Sequence, residues 1–147
     1  MKIFPAEFLN VDLDIKSKSD PAAIAKAWEN RAVSIHTHKL GRQYWLRGAL
    51  VFQPKNPTDA IRRFAKLVRD LPPGARRLWT KASSKEFDIG IQAGFERRSG
   101  EWVLEPEVVR TIADLGARIR VTVYSPLLII DENAARKRAR SRATQRR

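Results

Sequence analysis

The chain has 147 residues, of which 43% are hydrophobic, and this length is typical of one domain with a substantial buried core. Cysteine is absent, which excludes disulfides, thiolate metal sites and cysteine nucleophiles. The formal net charge is +13, but residues 134–147 contribute seven positive charges and no negative one. Removing those seven from the 29 lysines and arginines leaves 22 basic against 16 acidic side chains, a net charge of +6. We therefore expect one domain at residues 1–126, followed by a basic extension at residues 127–147.

The N-terminal residues do not resemble a signal peptide. Pro5, Glu7 and two aspartates interrupt them, so they lack the apolar core and the small-residue cleavage site of such a segment. The longest candidate for a membrane segment, which follows Ser125, is far shorter than the roughly twenty apolar residues that a membrane helix requires. We expect a cytoplasmic protein without membrane contacts.

The first part of the chain predicts a strand, a helix and a hairpin. Residues 9–15 alternate between apolar and polar side chains, which is typical of a strand with one buried face. Asp20 is suited to cap a helix and Pro21 to open it, and we expect this helix to end near residue 30. Two strands within residues 32–53 then flank a turn that contains glycine, which predicts a hairpin.

A second helix is predicted from Asn56 or Thr58 to Leu71, because apolar residues recur in this segment at helical spacing. The Pro-Pro-Gly sequence at residues 72–74 is expected to end that helix. We interpret the residues that follow, around Trp79, as a loop.

The remaining segments predict a strand at residues 87–95, a helix that Pro106 opens and that ends before Gly116, and a last strand at residues 118–124. The first six elements match the split βαβ order of ferredoxin-like domains. Because the strands alternate cleanly, we expect the helices on one face of a mainly antiparallel sheet. The predicted class is therefore α+β, with a ferredoxin-like βαββαβ core to which a helix and a strand have been added.

The polar side chains of the predicted strands would lie on the open face of this sheet, together with Arg118 and Thr122. The candidate partner-binding residues on this face are Asp12, Asp14, Trp45, Arg47, Asp88, Gly90, Gln92, Gly94, Arg120 and Tyr124. The two aromatic residues could supply the contacts that protein interfaces favour, and the two glycines leave room for the backbone of a partner. An alternative is a solvated face with aspartate–arginine pairs, in which the glycines accommodate twist or a bulge.

A nucleic-acid surface is the second candidate, since lysine and arginine gain affinity by neutralising phosphates. Its candidate residues lie on the second helix, after it and in the tail: Arg62, Arg63, Lys66, Arg69, Arg76, Arg77, Arg136, Lys137, Arg138 and Arg140. An alternative is the ordinary polar face of an amphipathic helix, with the tail as an accessory that steers acidic partners. The sheet face suits RNA less well, because its aspartates would repel phosphates and the aromatic strand signature of RNA-recognition domains is missing.

The residues favour neither an enzyme nor a metal site. Asp12 and Asp14 point the same way, as the carboxylates of a palm-type phosphoryl-transfer site do, but the hairpin turn contains no second acidic contribution. His36 and His38 share one strand face, and two ligands alone do not form a metal site. No nucleophile motif or phosphate-binding glycine loop is present. We expect no catalytic residue and no cofactor.

Three segments resemble a family of small bacterial domains of unknown function: RRFAKLVRDLPPGARRLW, FDIGIQAG and LGARIRVTVY. The resemblance covers roughly residues 8–126 and does not include the basic tail. Some members of such families look like immunity proteins, which bind and occlude a bacterial toxin without catalysis. The resemblance therefore implies a bacterial protein that binds another protein, which is also our leading hypothesis from the residues.

Overall fold

The structure, a computed structural model, describes residues 4–95 and 99–126. In chain order these residues form β1 (Glu7–Ser17), α1 (Ala22–Trp28), β2 (Val33–Leu40), β3 (Gln43–Leu50), α2 (Pro57–Arg69), α3 (Pro73–Lys81), β4 (Ser84–Gln92), α4 (Pro106–Asp114) and β5 (Arg118–Tyr124). None of the helices in the described ranges has the length and apolar character needed to cross a membrane.

The five strands form one sheet in the order β2-β3-β1-β4-β5. The pairs β2-β3, β3-β1 and β1-β4 are antiparallel, and the pair β4-β5 is parallel. The helix between β4 and β5 makes that parallel connection possible, because parallel neighbours need a crossover. The predicted α+β class and the open, mainly antiparallel sheet are confirmed. The ferredoxin-like assignment stays a prediction.

The helices cover one face of the sheet and enclose the core. Alternate residues of β1 point into it, and Leu13 and Ile15 are almost fully buried against side chains from the helices. Trp28 of α1 packs there, and its indole N–H donates to the carbonyl of Leu67 in α2, at 3.4 Å. Gly48 of β3 leaves the space in which the Trp28 ring comes close to the sheet. Burial of this kind is the main source of stability in a domain of this size.

Helix α2 begins where the sequence predicts. The side chain of Asn56 accepts a hydrogen bond from the N–H of Asp59 at 2.8 Å, and Pro57 occupies the first turn. This arrangement satisfies one of the backbone donors that a helix start leaves unpaired. The alternative cap, Thr58, is buried instead and donates to the carbonyl of Val103 at 3.1 Å.

Two sequence-based predictions of secondary structure are wrong. Residues 73–81, expected as a loop, form α3, in which Ala75 and Trp79 lie four residues apart and are both buried. Pro73 fits the first turn of a helix, so the proline pair separates two helices and does not only end one. Strand β4 begins and ends three residues before the predicted 87–95, because its ladder with β1 begins at Ser84.

A matched pair of phenylalanines tests where the core lies. Phe64 is 0% exposed, whereas Phe52 is 68% exposed. Replacing Phe64 with alanine should lower the free energy of unfolding by about 3–5 kcal/mol, because the change leaves a cavity. Phe52→Ala should change it by less than about 0.5 kcal/mol. Urea unfolding monitored by circular dichroism measures both, and equal losses would contradict the assigned core.

Candidate functional site

The face of the sheet opposite the helices is polar and charged. The strand register places Arg47, Asp14, Glu86 and Arg118 in one row across four strands. The neighbouring rows add further charges, so that the three rows hold four carboxylates and four cations: Asp12, Asp14, Glu86 and Asp88 against Lys16, Arg47, Arg118 and Arg120. The carboxylates occupy the two central strands and the arginines flank them. The centre of the face therefore has no net charge.

Arg47 is held by Asp14 through two hydrogen bonds. Its Nε and Nη2 atoms donate to the two carboxylate oxygens, each at 2.7 Å, and its Nη1 lies 3.8 Å from an oxygen of Asp12. The hydrogen bond to Asp14 is the largest contribution that keeps the pKa of Arg47 above its usual value. Such a bidentate pair fixes the orientation of the guanidinium as well as its charge.

Glu86 is the carboxylate that the sequence-based analysis missed. Its side chain is buried. One carboxylate oxygen accepts a hydrogen bond from Arg118, and the other forms an ion pair with Arg120 at 2.9 Å. A buried carboxylate is tolerated when both oxygens are paired in this way. Extending the alternation of β4 back by two residues from Asp88 would have placed Glu86 on this face.

Asp12 lies close to two other carboxylates, those of Asp14 and Asp88. Burial raises its pKa above 3.8, and the charges of Asp14 and Asp88 add to this effect, while the Arg47 guanidinium opposes it. The amide of Asn10 donates to Asp12 at 3.2 Å, and the hydroxyl of Thr122 donates to Asp88 at 2.6 Å. The polar side chains of this region are thus satisfied by one another.

One end of the face carries an aromatic group, here called the Trp45 platform and formed by Lys16, His38, Leu40 and Trp45. The His38 and Trp45 rings are stacked, with centroids 5.9 Å apart and planes 4° from parallel. From the strand on the other side, the ammonium of Lys16 lies 4.8 Å from the centroid of the Trp45 ring. These residues line an open cavity of about 660 Å³ that continues to Arg47 and the Glu86 ion pairs. From the sequence alone, His38 is a candidate only as a metal ligand, and Lys16 is not a candidate site residue.

The glycines expected to receive a partner are filled by the protein itself. A side chain at Gly90 would meet Asn10 at 3.2 Å and the ring of Tyr124 at 3.6 Å, and β1 has its register shift opposite this glycine. Gly94 does not lie on the face, because β4 ends at Gln92 and the backbone of Ala6 approaches Gly94 too closely for any side chain. The accommodation of a bulge, which the sequence left open as an alternative, describes Gly90 better.

The two aromatic residues of the predicted interface lie far apart. Trp45 is in the row of Ser84, and Tyr124 is opposite Gln92, eight residues further along β4. At 3.3 Å per residue this separation is about 26 Å along the strand, and three strand spacings add to it. The amide of Gln92 donates to the carbonyls of Tyr124 and Ser125 and so holds the end of β5. Trp45 and Tyr124 therefore lie at opposite ends of the face and do not contact each other.

The two aspartates that the sequence singled out share an arginine as their partner. Asp12 and Asp14 do lie on the same face, as the alternation predicts, but the cation between them is the guanidinium of Arg47. His36 and His38 also share this face, on the edge strand. Within residues 4–95 and 99–126, no three histidine, aspartate or glutamate side chains are grouped so that they could hold a metal ion.

Three of the six candidate cations on the helices form ion pairs with carboxylates. Arg62 pairs with Glu107, Arg63 with Asp59 and Lys66 with Asp70, and Arg76 donates to the carbonyls of Arg69 and Leu71 at the end of α2. The hydrogen bond from Lys66 is the largest cause of the lowered pKa of Asp70. The hydrogen bond from Arg62 likewise lowers the pKa of Glu107. Phosphate would have to compete with these partners. Arg69, Arg76 and Arg77 have no ion pair among the described residues. The predicted tail residues Arg136, Lys137, Arg138 and Arg140 lie outside the described residues.

Comparisons of this chain with models of protein families, with curated proteins and with solved structures gave no match. The resemblance to small bacterial domains stays a prediction. The function is therefore inferred from the geometry of the open face.

Two neighbouring aspartates should respond differently to the same replacement. Asp14→Asn removes the charge that holds Arg47 and should lower the free energy of unfolding at pH 7 by roughly 1–2 kcal/mol. Asp12→Asn should leave it unchanged or raise it, because burial raises the pKa of Asp12 and the folded protein favours its neutral form. For such an acid the stability is present below the unfolded pKa and is lost as the pH rises through the folded pKa.

The advantage of Asp12→Asn over the unmodified protein should therefore shrink below about pH 4. Urea unfolding of both variants at pH 7 and at pH 3.5 measures this difference. Equal losses at pH 7 for the two replacements would show that the carboxylates are equivalent, contrary to the observed contacts.

Proposed function

We propose that the protein is a non-catalytic binding domain that holds another protein on its open sheet face, with the Trp45 platform as the anchor. The observation that carries this proposal is the combination of a stacked aromatic pair, an adjoining open cavity and a surrounding set of ion pairs formed within the chain. Aromatic residues and arginine are the side chains that most often dominate the binding energy of protein interfaces.

The charge balance of the face favours a protein over a polyanion. Binding of nucleic acid gains affinity from cations that neutralise phosphates and release counterions. Here Arg47 and Arg120 already have carboxylate partners, and a phosphate would have to approach Asp12 and Asp88 as well. A protein surface with both kinds of charge can add to the exposed edges of these pairs without displacing them.

The platform itself is better suited to side chains than to stacked bases. His38 and Lys16 come from the strands on either side of Trp45 and already contact its ring. Less of the π surface is therefore left for a base, which needs an open ring face. Apolar and aliphatic side chains need only the ring edges, Leu40 and the adjoining cavity.

A toxin-immunity protein is one specific version of this proposal. Such a protein acts by occlusion, so it needs a complementary surface and no catalytic group. The ion pairs around the platform would orient an enzyme on the face, and the desolvated aromatic centre would supply most of the affinity. The resemblance to small bacterial domains suggests this version.

Nucleic-acid binding is a second candidate, favoured by the overall net charge of +13. On the described residues it would use the outer side of α2 and α3, where Arg69 and Arg77 lie beside cations that are already paired. Because the electrostatic affinity grows with the number of phosphates that cations neutralise, so few unpaired cations would give only weak binding.

The proposal is tested by capturing partner proteins with the unmodified chain and with two variants, each of which lacks one aromatic side chain of the face. The full chain, Trp45→Ala and Tyr124→Ala are immobilised separately and exposed to nuclease-treated lysate of the source organism. Proteins identified by mass spectrometry should include one that the unmodified chain and Tyr124→Ala retain and that Trp45→Ala loses. Calorimetric titration with that purified protein should give an affinity at least tenfold lower for Trp45→Ala, the effect of removing an interface anchor.

Fluorescence anisotropy with labelled single-stranded RNA and double-stranded DNA, measured over a series of salt concentrations, tests the nucleic-acid candidate. We expect binding only at low salt, with loss near physiological ionic strength. Nucleic-acid binding that survives near-physiological salt and is unchanged by Trp45→Ala would overturn the proposal in favour of the second candidate.

A further inference from the structure

Strand β5 forms one edge of the sheet in the described part of the chain. Three of its side chains, Ile119, Val121 and Val123, are 42%, 55% and 62% exposed. They point to the helix side of the sheet, since they are paired with Phe87, Ile89 and Ile91 of β4, but α4 covers them only in part. An exposed edge with β-branched side chains is a template for pairing with another strand.

The backbone of β5 offers a regular set of hydrogen-bonding groups at this edge. The carbonyl of Tyr124 accepts from the N–H of Ala93 at 2.9 Å, so the backbone groups of Tyr124 face β4. In a strand these groups alternate in direction from one residue to the next. The N–H and C=O groups of Ile119, Val121 and Val123 therefore point away from β4, toward the free edge.

We propose that two copies of this chain pair through antiparallel β5 strands about a two-fold axis at Val121. In this register Val121 lies opposite itself, and Ile119 lies opposite Val123 of the second copy. All three outward pairs are then of the hydrogen-bonded type, which gives two bonds for each pair. The two five-stranded sheets become one continuous sheet, and the half-exposed side chains form a single apolar row across the axis.

The charges of β5 select this register. With Val121 at the axis, Arg118 lies opposite Tyr124 of the second copy and Arg120 lies opposite Thr122. An axis at Ile119 or Arg120 would instead place arginines opposite each other, which destabilises a strand pair. An axis closer to the C-terminal end of the strand leaves fewer residues in the ladder. An isologous contact therefore fits this strand without a like-charge conflict.

The opposite edge of the sheet is less suited to self-association. The exposed side chains of β2 between Ser34 and Lys39 are polar, and they include His36 and His38. Charged side chains discourage pairing at an edge, and β5 also carries arginines, but only β5 has a row of exposed β-branched apolar side chains. The contrast between the two edges assigns the contact to β5.

The test measures the mass of the full chain in solution. Sedimentation velocity and light scattering are recorded from about 5 to about 500 μM protein, because a contact smaller than a standard interface gives a weak dimer. The expected result is a monomer–dimer equilibrium in this range. Val121→Lys places two ammonium groups at the axis and should raise the dissociation constant at least tenfold.

Val121→Pro is the second variant, because it removes only an N–H that points away from β4, and proline is tolerated on an edge in that position. It should also weaken the dimer. Val51→Lys is the matched control, since Val51 is 60% exposed and lies at the end of β3, away from β5. It should dimerise like the unmodified chain. Thermal unfolding confirms that each variant is folded.

A monomer throughout the concentration range would overturn the proposal. A dimer that persists in both Val121 variants would also overturn it, and would assign the association to another surface or to the basic tail. Neither result depends on the Trp45 platform, so the test is independent of the proposed function.

Discussion

The alternation of β1 at the centre of the sheet is the constraint on which the rest of the structure depends. This strand has a neighbour on each side and helices over one face. Its apolar residues Val11, Leu13 and Ile15 therefore enter the core, and the aspartates that alternate with them, Asp12 and Asp14, must lie on the open face. Because a shift of one residue would exchange the two faces, hydrophobic burial also sets the register with β3 and β4. The position of every charge on the open face follows from that register.

The register creates an electrostatic problem that the flanking strands solve. Asp12 lies opposite Asp88, and Asp14 lies opposite Glu86, so like charges face each other across the two central strands. Pairs of this kind destabilise a sheet unless cations compensate them. Arginines from β3 on one side and β5 on the other supply that compensation. The face thus carries many charged side chains, but their charges cancel. The proposed binding role therefore depends on the aromatic end of the face and not on its charge.

The same arrangement separates two surfaces with different properties. The Trp45 platform lies at one end of the face, near the polar edge strand β2. The β5 edge lies on the opposite side of the sheet and combines outward backbone groups with half-exposed β-branched side chains. A protein partner on the platform and a second copy at β5 would not compete for the same residues. Pairing through β5 would place two open faces side by side, so that one assembly presents two anchors.

Local patterns in the sequence determined the class of fold, most of the strands and helices, and the side of the sheet on which Asp12, Asp14 and Arg47 lie. Periodicity and capping are properties of short segments, so they are visible without knowledge of neighbours. Helix α3 was missed because a proline pair ends one helix and opens another with equal ease. Only the tertiary structure decided which arginine holds which carboxylate, that Glu86 is buried, that Gly94 lies against Ala6, and that Trp45 and Tyr124 are at opposite ends. These features depend on strand order and register, which join residues distant in the chain and leave no local signal.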